Sequence, residues 1–130
     1  MTRKIAISFA VLVGLGMIFL GARFLLSPEA AEAGFGIRFN DRGDYSFHYT
    51  KGIRDIFSGV VLCLLILTKQ IKALGITLLV GTIIPVIDVL IVWSKDYTGI
   101  AEAMPHISAI IICLVSGILL LISKPSNQSL

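Results

Sequence analysis

The chain has 130 residues, 56% of them hydrophobic and only 15% charged, with a mean hydropathy of +0.94; soluble domains carry roughly a quarter charged residues. Its formal net charge of +3 lies in lysines and arginines that flank apolar runs, so the sequence offers no nucleic-acid face. This is the composition of an all-α integral membrane protein, read as one domain over residues 1–130.

Four apolar runs, at about 5–26, 53–68, 73–93 and 106–123, stand against the roughly 20 residues needed to cross the hydrocarbon. They predict a four-transmembrane-helix bundle with a longer first non-cytoplasmic loop. The first run follows Thr2, Arg3 and Lys4 and imitates a secretory signal. Its uncharged stretch exceeds the roughly 7 to 15 residues of a signal core, and three more runs follow, so it reads as an uncleaved helix.

The link after the first run opens with a helix start: Ser27 can cap, Pro28 takes the first helical position and Glu29 favours the positive helix end. A short surface helix to about Ala33 is expected. Beyond it, Phe35, Ile37 and Phe39 alternate before an Asn/Asp/Gly turn, and Tyr45, Phe47 and Tyr49 alternate after it, which predicts a small hairpin or extended flap. Arg42, Gly43 and Asp44 read as turn composition rather than an adhesion motif.

In the second run the uncharged stretch 56–68 is too short to span, so the helix is expected to include Arg54 and Asp55. Only residues 68–72 separate the second and third runs, a tight helical hairpin. The third run carries Pro85 and Asp88. The third link ends at Pro105, which is placed to begin the last helix just before His106. Cys63 and Cys113 fall mid-span as small core residues. No zinc spacing, phosphate loop or dinucleotide fingerprint is present, so neither a metal nor a cofactor is expected.

An even number of spans puts both termini on one side. Lys/Arg counts on the two sides nearly tie, while all 8 acids fall on the side away from the termini; the termini are placed in the cytoplasm of a cell (inner) membrane protein. Because successive helices alternate in direction, Arg23, Arg54, Asp55, Asp88 and His106 all come to that same non-cytoplasmic side. Helical spacing puts His106 on a face with Ala109, Cys113 and Gly117, Asp88 with Gly81 and Pro85, and Asp55 with Ser58, Gly59 and Leu62. Small-residue faces let membrane helices approach, so these faces should point into the bundle. An unpaired charge at the bilayer centre costs at least about 2.5 to 3.5 kcal/mol, which makes pairing the expectation. The bland alternative is a set of staples, Asp88 to Arg23 and Asp55 to Arg54 or Lys51.

"GARFLLSPEAAEAGFGI" at 21–37, "KGIRDIFSG" at 51–59, "IPVIDVLIV" at 84–92 and His106 at the start of the last run together resemble a family of small four-helix membrane proteins, domain of unknown function 4267. Lys51, Gly52, Arg54, Asp55, Gly59, Pro85, Asp88 and His106 stand where that family's pattern places them. The loop from Arg38 to Tyr49 departs from it in being longer and more aromatic. The resemblance implies a fold and brings no activity.

The leading expectation is a polar intramembrane pocket that binds a small amphipathic or lipid-like molecule, with membrane lipid around it. Arg23 and Arg54 would anchor an anionic or carbonyl group, Asp55 and Asp88 would orient them or exchange protons, and His106 would respond to pH. Asp55, Asp88 and His106 are the catalytic candidates if acid–base chemistry occurs. Two other readings stay open: a proton-coupled small-molecule transporter acting as a homo-oligomer, and a structural or accessory membrane subunit.

Overall fold

The computed structural model describes residues 2–38 and 43–123. Its helices are α1 (Thr2–Leu26), α2 (Pro28–Phe35), α3 (Ser46–Leu67), α4 (Ile71–Gly81), α5 (Ile83–Trp93) and α6 (Ile100–Ile122), and no strand occurs among the described residues. Helices α4 and α5 follow one another across Thr82 as a single 23-residue apolar rod. The break has a cause in Pro85: it has no N–H to give the Gly81 carbonyl one turn earlier, and its ring crowds that carbonyl.

Three of these helical lengths, Thr2–Leu26, Ile71–Trp93 and Ile100–Ile122, are long and apolar enough to cross a membrane. Helix α3 is comparable at 22 residues, but Lys51, Arg54 and Asp55 interrupt its first half. Aliphatic and aromatic side chains are bared all round the bundle; Leu12, Phe19, Phe57 and Leu67 are each more than half exposed. Such a surface suits hydrocarbon, in which helices satisfy their own backbone groups.

Helix α1 packs most extensively on α3, α4 on α6, and the two pairs meet chiefly through α1 and α6. Glycines permit the closest approaches. A Cβ added at Gly59 would lie 2.4 Å from the Gly14 carbonyl oxygen, and one at Gly21 would lie 2.4 Å from that of Gly52. The two contacts are one heptad apart on antiparallel helices, so α1 and α3 touch backbone to backbone along two turns. Gly75 and Gly117 bring α4 and α6 together in the same manner, at 3.0 to 3.2 Å. No packed interface forms between α3 and α5, and that gap becomes the cavity described below.

Two apolar cores close the ends of the bundle. One, toward the termini, gathers Ala6, Ala10, Leu62, Leu74, Leu78, Cys113 and Leu120. The other lies under α2 and gathers Phe24, Ala31, Phe35, Ile37, Val92 and Ala103.

Three expectations need correction. The aromatic alternation after the turn is not a strand: Phe47 and Tyr49 lie in the first turns of α3, with Tyr45 at its start. A period of two over residues 45, 47 and 49 also puts 45 and 49 at helical spacing, and their rings do meet at 6.4 Å. Phe35 is the last residue of α2, which runs two residues past Ala33 and ends on Gly36 at φ 97, left-handed backbone that favours glycine. Phe39, Asn40, Asp41 and Arg42 of the expected turn lie outside the described residues. Finally, α6 begins at Ile100 rather than at Pro105, because the Glu102 carboxylate reaches back to accept from Gly99 N–H at 2.7 Å and starts the helix early.

Candidate functional site

The end of the bundle under α2 is where ionisable side chains converge. Arg23, in the last turn of α1, donates through Nη2 to the carbonyl of Ala30 at 3.1 Å and so holds α2 across the bundle. On α3, Lys51 stands one turn before Asp55. Its ammonium is 3.0 and 3.3 Å from the two carboxylate oxygens of Asp55 and lies 5.2 and 5.1 Å from the ring centres of Phe24 and Phe35. Two aromatic faces and a carboxylate thus replace the water that a half-buried lysine gives up.

Asp88 projects from α5 toward α6, where His106 Nδ1 lies 3.6 Å from its Oδ2, an ion-pair rather than a hydrogen-bond distance. The other ring nitrogen of His106, Nε2, is 2.9 Å from the backbone oxygen of Phe35, and the Phe35 ring meets the imidazole edge-on at 4.6 Å. A carbonyl only accepts, so Nε2 carries a proton and the tautomer is fixed. Nδ1 is thereby turned toward the Asp88 carboxylate.

Helix α2 is clipped down by two further contacts of equal sequence spacing. Tyr45 donates its hydroxyl to Glu29, which raises the phenol above its ordinary pKa, and His48 Nε2 lies 2.7 Å from Glu32 Oε2. His48 is fully buried. Beyond α2, Arg38 N–H donates to the Tyr97 hydroxyl at 3.1 Å and carries the chain across the loop between α5 and α6.

Between the two apolar cores lies a cavity of about 560 Å³. Phe24, Ala31 and Phe35 roof it, Leu62, Leu78 and Cys113 floor it, and α1, α3, α4, α5 and α6 wall it. Arg23, Lys51, Asp55, Asp88 and His106 all reach its lining. Of the residues expected at the site, Arg23, Asp55, Asp88 and His106 are thus brought together, while Arg54 is exposed and does not line the cavity. Adjacent residues on a helix point about 100° apart, so Arg54 and Asp55 cannot share a face, whereas Lys51 and Asp55, four apart, do. Lys51 belongs where Arg54 was expected; its (i, i+4) spacing to Asp55 was the available signal. Of the two staples in the bland alternative, the one from Asp55 to Lys51 forms, while the one from Asp88 to Arg23 does not, since His106 takes that place. Phe24 and Phe35 enter the site with no polar signature to announce them.

Among the described residues no three His, Cys, Asp or Glu converge as a metal site. Residues 14–120 match the sequence model of a family described as a domain of unknown function (DUF4267). No curated protein and no solved structure matches the chain.

Proposed function

The chain belongs to the DUF4267 family, and from that premise we propose a four-span integral membrane protein whose bundle holds one small amphipathic, lipid-like molecule. The apolar body of the ligand lies along the cavity walls, and its polar end sits under α2 among Arg23, Lys51, Asp55, Asp88 and His106. Helix α3 is the fourth span: its charged side chains Lys51 and Asp55 turn inward and pair, which removes most of the cost of carrying them through lipid. With both termini in the cytoplasm, the polar end faces the non-cytoplasmic side.

The observation that carries this reading is the cavity itself, with apolar walls and floor and with its ionisable groups confined to one end. Ligand pockets run to about 300 to 1,000 Å³ and combine apolar lining with a few convergent polar groups. His106 and Asp88, side by side on the lining, add the means for acid–base chemistry on the bound molecule. A pocket is favoured over a transport path because the terminal core of Ala6, Ala10, Leu74 and Leu120 fills the other end of the bundle.

The test is thermal unfolding in mild detergent against a panel of amphiphiles that differ in head group. A ligand that binds only the native state stabilises it by RT ln(1 + L/Kd), with L the free ligand concentration. Wild type and Arg54→Gln should be stabilised by the same amphiphile and Asp88→Asn should not. Equal stabilisation of all three proteins would place the molecule on the outer surface and defeat the proposal.

A further inference from the structure

Two observations bear on what the cavity takes and how it is reached. The first concerns charge. Each carboxylate on the cavity lining has a basic side chain beside it, Asp55 with Lys51 at 3.0 Å and Asp88 with His106 at 3.6 Å. Arg23 has none: its guanidinium donates to one backbone carbonyl, and no carboxylate among the described residues lies within ion-pairing distance. A half-buried guanidinium presents five N–H donors in a planar fork suited to a carboxylate or other oxyanion. Arg23 lines the cavity and makes one side-chain hydrogen bond among the described residues.

The second concerns the opening. Lining residues that are also exposed mark the mouth of a cavity, and they include Phe57 on α3, Val80 on α4 and Ile84 on α5, which are 69%, 60% and 49% exposed. All three are large and apolar and flank the gap where α3 and α5 fail to pack. The mouth thus opens sideways, on the face the bundle turns to hydrocarbon. At its edge Gly81 lines the cavity, and a Cβ placed there meets nothing within 4 Å.

We propose that the ligand is a single-chain amphiphile with an anionic head, a fatty carboxylate in chemical class, which enters from the bilayer between α3 and α5 and pairs its head with Arg23. This deepens the pocket reading and rests on it. Charge complementarity selects the anion, since Arg23 is a cation on the lining with no carboxylate partner among the described residues. The volume selects the single chain, because about 560 Å³ is the room of one drug-sized molecule and does not hold a two-chain phospholipid.

The test uses the whole protein in phosphatidylcholine nanodiscs, titrated with a dansyl-labelled long-chain fatty carboxylate and with its neutral methyl amide. Four proteins are compared: wild type, Arg23→Gln, which keeps a donor for the Ala30 carbonyl, Gly81→Phe, which plugs the mouth, and Gly16→Phe. Gly16 has equally open space around it and does not line the cavity, so it controls for an added ring in a span. Wild type and Gly16→Phe should bind the carboxylate about tenfold or more tightly than the amide. Arg23→Gln should erase that preference, and Gly81→Phe should abolish binding of both probes. If wild type binds the two probes equally and Gly81→Phe still blocks them, the pocket stands and the anionic class is overturned. If the added ring at Gly81 changes nothing, or no probe binds, the pocket reading itself fails. Competition by phosphatidylglycerol in the nanodisc at concentrations that match the carboxylate would assign the site to an anionic phospholipid and overturn the single-chain claim.

Discussion

His106 Nε2 stands 2.9 Å from the backbone oxygen of Phe35, so the helix that roofs the cavity fixes the tautomer of the histidine that lines it. The bond spans from α2 to α6 and turns Nδ1 toward Asp88. In nitrogen NMR spectra of the selectively labelled protein, Nε2 should be the protonated ring nitrogen in wild type and in Asp88→Asn alike. A neutral Nδ1–H tautomer in either would contradict this arrangement.

Phe35 is the residue on which the roof converges, since its ring meets both Lys51 and His106 and is nearly buried. Phe35→Ala should lower stability by about 3 kcal/mol, the usual cost of deleting a buried aromatic side chain. Phe47→Ala, with its ring half exposed, should cost well under half as much. Thermal unfolding in one detergent compares the two directly.

The glycine contacts give a prediction with an internal control. Gly59→Ala forces a Cβ against the Gly14 carbonyl and should cost about 1 to 3 kcal/mol, because backbone must move to admit it. Gly16→Ala meets open space and should be neutral or slightly stabilising, as alanine is the better helix former. If both variants unfold at the same temperature, α1 and α3 do not meet as described.

The start of α3 carries a pH dependence of known sign. The Ser46 hydroxyl and then the Ser46 N–H, at 2.6 and 3.0 Å, hold the Asp44 carboxyl below its ordinary pKa. A depressed folded-state pKa stabilises the fold above the unfolded-state value, and that contribution is lost as pH falls through the folded value. The difference in melting temperature between wild type and Asp44→Ala should therefore be constant from about pH 7 to pH 5 and shrink only below about pH 4. A difference that instead grew on acidification would contradict the assignment.

Much of this architecture is written in the sequence, for a physical reason. Long apolar runs must be helical in hydrocarbon, and the alternating direction of successive helices brings Arg23, Asp55, Asp88 and His106 to one end whatever the packing angles. The break before Asp88 follows from Pro85 alone. What the sequence hides is rotation and partnership. Lys51 and Arg54 are equally charged and three residues apart, yet Lys51 pairs with Asp55 on the cavity lining while Arg54 is exposed. The aromatic stretch 45–49 satisfies strand and helix spacing at once; His48, buried against Glu32, belongs to the helical reading, and no local pattern reveals a partner 16 residues away. Phe24 and Phe35 are ordinary apolar residues until a lysine is found between them.

The central claim is that the polar end of the cavity holds the head of a bound molecule. Native mass spectrometry of the gently extracted protein tests it most directly, with wild type, Asp88→Asn and Arg54→Gln prepared side by side. Wild type and Arg54→Gln should each carry an additional small-molecule mass that Asp88→Asn has lost while remaining folded and of the same oligomeric mass. No bound species in any of the three, together with misassembly of Asp88→Asn alone, would contradict the account and leave Asp88 as a structural partner of His106.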